Sequence, residues 1–175
     1  MTEAKRLPTS ADFSPNIILT ITPRKCPQCL HKQASIDSIA AGHLIGPLEH
    51  TNSIQAPTGQ SPANILVLLH GLGDSHVPFA KLGTQLNLPN TACIAIKAPN
   101  SLPFDPSSFH WCDDVIFDST TQVLDPDGGF KIATPLLSSA VIQRGLVEKC
   151  GYEPRDIILF GLGQGGMAAL NVAGR

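Results

Sequence analysis

One stretch near the end of the chain leaves little choice of architecture. The apolar run Asp156-Ile157-Ile158-Leu159-Phe160 passes directly into Gly161-Leu162-Gly163-Gln164-Gly165-Gly166, and small and apolar residues from Met167 to Ala173 follow. A run of strand length that breaks into glycines and resumes with helix formers predicts a strand, a sharp bend and a helix folded back on that strand. Glycine at 161 and 165 suits the close approach of the two backbones, where a Cβ would clash. A strand covered in this way belongs to a sheet with helices on its faces, which makes the fold class α/β.

The text upstream agrees. Asn64-Ile65-Leu66-Val67-Leu68-Leu69 is continuously apolar and ends in His70-Gly71-Leu72-Gly73-Asp74, as a strand buried on both faces does when it enters a glycine loop. Phe79, Leu82 and Leu86 recur at helical spacing over Val77 to Leu86, and Asn87 to Asn90 breaks the pattern. A second apolar run, Ala92 to Ile96, completes a strand, helix, strand crossover and predicts a parallel sheet. Ser101 to Gly129 reads as a long irregular stretch framing a cleft. From Phe130 to Cys150, the residues Ala133, Leu136, Leu137, Ala140, Val147 and Cys150 mark an amphipathic helix, with Pro135 in its first turn and Gly151 as its cap.

Residues 1–62 differ in texture. They are rich in Pro, Ser, Thr, Asn and Gln, with short apolar stretches at Ile17 to Ile21 and His43 to Ile45, and are expected to be a tail with peripheral strands. Residues 63–175 are expected to carry the domain. Twelve Lys and Arg against fourteen Asp and Glu give a net charge of -2, which offers no electrostatic footprint for nucleic acid. The longest wholly apolar run, Ile65 to Leu69, is far short of the roughly 20 residues of a membrane span, and the polar start lacks a signal-peptide core, so a cytoplasmic location is expected. The five cysteines are odd in number and scattered, which predicts reduced thiols. Cys26 and Cys29, with His31 nearby, leave a small zinc or redox element open, although no second ligand pair follows at finger spacing. The expected site has neither metal nor cofactor.

Strand, Gly-x-nucleophile-x-Gly and helix is the arrangement that lifts one reactive side chain above a sheet at a helix N-terminus. Gly161 and Gly165 fill the flanking positions, and the central one is Gly163. A glycine turn before a helix also suits an anion, but no Walker lysine is present. His70 is expected to hydrogen-bond backbone and set the shape of its loop. The adjacent Asp113 and Asp114 are expected to be solvated.

Three blocks, LLHGLGD at Leu68 to Asp74, HWCDD at His110 to Asp114 and RDIILFGLGQGG at Arg155 to Gly166, resemble in order and spacing the acyl-protein thioesterase and phospholipase/carboxylesterase family of α/β-hydrolases. The resemblance covers Asn64 to Arg175. It implies a mostly parallel sheet with flanking helices, of which this chain holds a part, with the C-terminal strands missing. It also implies hydrolysis of esters or thioesters of acyl chains, including lipidated proteins, by a Ser, Asp, His triad without a cofactor. The usual elbow of that family is Gly-Phe-Ser-Gln-Gly-Gly, so this chain departs from it at Leu162 and Gly163.

The first departure keeps an apolar side chain, whereas the second removes the attacking hydroxyl. All six histidines precede the bend, and the nine residues after Gly166 include no Asp, Glu or His, so the triad acid and base are also expected to be absent. By resemblance, the backbone N–H groups of Leu72 and Gln164 form the oxyanion hole, and Gly71 and Trp111 line the substrate site. The resulting expectation is a catalytically deficient homologue of ester and thioester hydrolases, with a non-catalytic acyl-group or protein-binding module as the alternative. Its last strand, Ile157 to Gly161, would be an exposed apolar edge that calls for a covering partner or further chain.

Overall fold

In the computed structural model, which describes residues 5–22, 62–118, 120, 123–125 and 128–174, the run Asn64–Leu69 is an inner strand of a four-stranded sheet. The elements in chain order are β1 (Leu19–Thr22), β2 (Asn64–Leu69), α1 (His76–Leu86), β3 (Thr91–Ile96), β4 (Asn100–Leu102), β5 (Asp105–His110), β6 (Ile116–Asp118) and β7 (Val123–Asp125). Helix α2 begins at Ala133–Pro135 and continues in wide π-type turns over Leu136–Lys149. Strand β8 (Ile157–Gly161) and helix α3 (Gln164–Ala173) complete the order.

The sheet order is β1-β3-β2-β8. Strand β2 pairs in parallel with β3 on one side and with β8 on the other, and β1 is antiparallel to β3. The fold is therefore α/β, with a mostly parallel sheet and flanking helices, as the resemblance implies. Residues Ile65 to Leu69 and Ala92 to Ile96 are all buried because their alternate side chains enter two different cores. Ile65, Val67, Leu69, Ile94 and Ile96 join Leu137, Val141, Leu146 and Ala168 on the side of α2 and α3. Leu66, Leu68, Cys93 and Ala95 meet Phe79 of α1 on the other side.

Local chemistry sets the ends of the helices. The Ser75 Oγ accepts the Val77 N–H at the start of α1, and Asn87, at φ 45°, ends it in the left-handed region. In α2 the buried residues Ala133, Leu137, Val141 and Gly145 recur every fourth position, which suits its wide turns better than the mixed three-and-four spacing read from the sequence. Gly151, at φ 74°, follows as the expected cap.

Two features differ from the sequence expectations. Residues 5–22, placed within a 1–62 tail with peripheral strands, do supply one at the sheet's edge, β1, and belong to the same compact unit as the sheet. Phe13 is buried in the main core, Arg6 donates its N–H to the Cys150 carbonyl at 3.1 Å, Lys5 pairs with Asp156 at 2.8 Å, and β1 closes the β3 edge. Sparse apolar residues sufficed here because the partners lie far along the chain. The stretch 101–129, read as irregular, contains the hairpins β4–β5 and β6–β7. The Asp105 carboxylate takes the Ser107 and Ser108 hydroxyls, so a polar Pro- and Ser-rich segment forms a strand without apolar alternation. The Cys26 and Cys29 pair lies outside the described residues.

Among the described residues nothing pairs with the outer side of β8, and Ile158 and Phe160 are 50% and 46% exposed. No helix among them is long and apolar enough to cross a membrane.

Candidate active site

Parallel pairing of β2 with β8 puts Leu69 opposite Gly161, so the loop after β2 and the bend after β8 leave the sheet side by side. The Leu162 N–H donates to the Leu69 carbonyl at 3.1 Å and ties the two exits together. Backbone contact is then so close that a Cβ on Gly161 would stand 2.3 Å from the Gly165 carbonyl, and one on Gly165 would stand 2.4 Å from the His70 carbonyl oxygen. Only glycine fits at either position.

Gly163 differs from both. It sits at φ 51°, ψ -119°, as the residue that caps α3, and a Cβ there would meet nothing within 4 Å. The bend thus holds residue 163 in a strained backbone region with open space above it, as an arrangement that displays one side chain requires. Glycine adopts that conformation without the Cβ penalty and displays no reactive atom.

Gln164 follows this point directly as the first residue of α3, and Leu72 lies in the loop after β2. Among the described residues no acceptor takes the backbone N–H of either one. The Gln164 N–H opens the first turn of α3, where the helix dipole favours negative charge. Loop 71–74 is shaped by its neighbours. The Gly73 N–H donates to the Phe109 carbonyl at 3.0 Å, the Phe109 N–H returns to the Asp74 carbonyl at 3.0 Å, and the Asp74 N–H donates to the Gly71 carbonyl at 3.3 Å. Gly71 itself faces the bend, and a Cβ on it would lie 3.6 Å from the Leu162 carbonyl oxygen.

His70 is fully buried, and both of its ring nitrogens are engaged. Its Nε2 accepts the Ala98 N–H at 3.0 Å, which makes Nδ1 the protonated nitrogen, donating to the Gly71 carbonyl at 2.8 Å. Burial holds the imidazole below its usual pKa, against the opposing pull of the Gly71 carbonyl and Asp74. The ring is a neutral brace for the loop, with no nitrogen left for proton transfer.

Trp111 departs from its expected place. It is fully buried, so it does not line a groove; its indole Nε1–H donates to the His70 carbonyl at 2.8 Å, beneath the loop. Its backbone N–H donates to the Gln164 Oε1 at 2.6 Å, and the Gln164 Nε2 reaches the Cys112 Sγ at 2.7 Å. Asp113, read from the sequence as solvated, also accepts the N–H groups of Lys131 and Ile132 at 2.8 Å each, just before α2. Those two bonds hold its carboxyl below the usual range. The HWCDD block thus joins the loop, the bend and α2. Sequence reading missed this role, because no local pattern signals a partner some fifty residues away; the Trp111 to Gln164 bond spans 53 residues.

The comparisons agree with this geometry. Residues 50–174 match the family described as Phospholipase/Carboxylesterase. An uncharacterised hydrolase of Schizosaccharomyces pombe is 35% identical over 111 residues, which cover 61% of this chain and 44% of that protein. Another uncharacterised hydrolase, from Mycosarcoma maydis, is 38% identical over 113 residues, covering 63% of this chain and 41% of its own length. The matches thus span less than half the length of these curated relatives. With the glycine bend, the facing loop and the parallel sheet in place, the chain belongs to the phospholipase/carboxylesterase family.

Proposed function

We propose that this chain is a homologue of carboxylic-ester and acyl-thioester hydrolases, of the acyl-protein thioesterase or carboxylesterase type, that is catalytically deficient at residue 163. The observation that carries this reading is Gly163 itself, at φ 51° and ψ -119° with free space around its missing side chain. Acyl transfer by a serine hydrolase needs an oxygen at this point to attack the acyl carbon and form the acyl-enzyme, and glycine has none. The expected result is no hydrolysis of p-nitrophenyl butyrate or palmitoyl-CoA by the purified chain above a heat-treated control. Turnover above that control would overturn the reading.

The free N–H groups of Leu72 and Gln164 favour a second reading, an acyl-group or protein-binding module on the same scaffold. Amide donors aimed at a carbonyl oxygen persist whatever the side chain at 163. Saturable binding of a fluorescent fatty-acyl probe without its hydrolysis is the result that favours this role, and no binding at all would exclude it.

A further inference from the structure

We propose that the Gln164 side chain and Trp111 are positioning residues, which together hold the amide of Leu72 and the amide of Gln164 in one fixed relation. This rests on the reading of those two amides as the paired donors of the site and adds the device that aligns them.

The amides come from loops that follow different strands, so the sheet alone does not fix their mutual orientation. Productive donor pairs need alignment within about 10–20°. The direct tie is the bond from Leu162 N–H to the Leu69 carbonyl at 3.1 Å, which stops short of both donors. Beyond it, one residue grips each side. Trp111 sends its Nε1–H to the His70 carbonyl, two residues before Leu72, and its backbone N–H to the side chain of Gln164. The second bond is unusual in its logic, because the residue whose backbone donates into the site uses its own side chain as the anchor. That side chain is buried and holds Trp111 N–H on Oε1 and Cys112 Sγ on Nε2, so rotation of the first turn of α3 would break both bonds. The Trp111 segment is in turn pinned by the Asn100 Nδ2, which donates to the Cys112 carbonyl at 2.7 Å, and by Asp113 at the start of α2. The chain of contacts from loop to bend is therefore closed through buried groups, where a hydrogen bond is stiffest and costly to leave unmade.

The test uses the full chain labelled with 15N, as wild type, Gln164→Leu, Trp111→Phe and the control Leu146→Ala. Gln164→Leu removes both side-chain bonds and keeps the backbone N–H; Trp111→Phe keeps a smaller buried ring and removes the donor to His70. Leu146 is fully buried among the α2 core residues and lowers stability without touching the clamp. Residual dipolar couplings give the angle between the Leu72 and Gln164 N–H vectors, and thermal unfolding gives the stability of each variant. The expected outcome is an angle changed by more than about 10–20°, or exchange broadening at both amides, in the two clamp variants, with the wild-type angle kept in Leu146→Ala. Lower stability with an unchanged angle in the clamp variants would overturn the proposal and make the contacts plain core packing. Should Gln164→Leu fail to fold, Trp111→Phe and Gln164→Glu, which keeps the acceptor for the Trp111 N–H, decide the matter by the same angle. Failure of the donor reading shows separately, as wild-type N–H vectors that do not converge.

Discussion

The carbonyl oxygen of His70 lies 2.4 Å from the point where a Cβ on Gly165 would stand, so the loop after β2 and the first turn of α3 touch backbone to backbone. Two glycines permit that contact, and a third, Gly163, is there for another reason. Gly161→Ala and Gly165→Ala are each expected to cost about 3 kcal/mol or more, because backbone atoms cannot move aside as a flexible side chain can. Gly163→Ala meets no atom, and only its positive φ opposes it, for about 1–3 kcal/mol. Urea unfolding followed by the emission of Trp111, the single tryptophan, measures all three. Equal losses across the series would contradict the geometry described for the bend.

Stability should fall on mild acidification, and His70 gives the sign. Burial lowers its folded pKa below the unfolded value of about 6.5, so the unfolded chain binds the extra proton first. The contribution of neutral His70 is fully present above about pH 6.5 and is lost progressively as pH falls toward the folded pKa. Protonation would also end acceptance of the Ala98 N–H by Nε2. His76 and His110, likewise lowered mainly by burial, act in the same direction. A thermal midpoint that stays flat between pH 7.5 and pH 5.5, scanned in steps across those burial-shifted histidines, would count against this account.

The N-terminal segment should behave as part of the core. Phe13 lies over Gly145 of α2 so closely that a Cβ there would stand 2.5 Å from the ring. Phe13→Ala is expected to cost about 3–5 kcal/mol, as for other buried phenylalanines. Gly145→Ala should destabilise the wild type but cost less once Phe13 is alanine, since the ring it strikes is then gone. A double-mutant cycle by urea unfolding reads the coupling, and strictly additive losses would show that the two residues do not touch.

Strand β8 should govern association of the 175-residue chain in solution. Its outer edge is unpaired among the described residues, Ile158 and Phe160 are each about half exposed on one face of the strand, and Leu162 and Leu170 add apolar surface at 59% and 75% exposure. Open apolar edges pair with other chains unless a charge blocks them. Ile158→Lys and Phe160→Lys are expected to reduce the associated fraction in sedimentation velocity runs while changing stability by no more than about 0.5 kcal/mol, as surface substitutions do. An unchanged sedimentation profile would locate association elsewhere.

Much of this architecture was legible in the order of residues. Apolar runs at 65–69 and 92–96 announced the buried strands β2 and β3, because a strand covered on both faces needs apolar side chains in both directions, and the run at 157–160 announced β8, of which Ile157 and Leu159 pack on the core while Ile158 and Phe160 stay half exposed. The glycine spacing announced the bend, because close backbones admit nothing larger. These are local demands, met within a few residues. What tertiary structure alone decided are the partnerships across distance: Trp111 beneath His70 and beside Gln164, Asp113 on the N–H groups before α2, and Lys149 on the Asp12 carbonyl, 137 residues away. A buried polar group must find a partner, but its own sequence neighbourhood does not say which one. That choice is made by strand register, which brings distant segments to one end of the sheet.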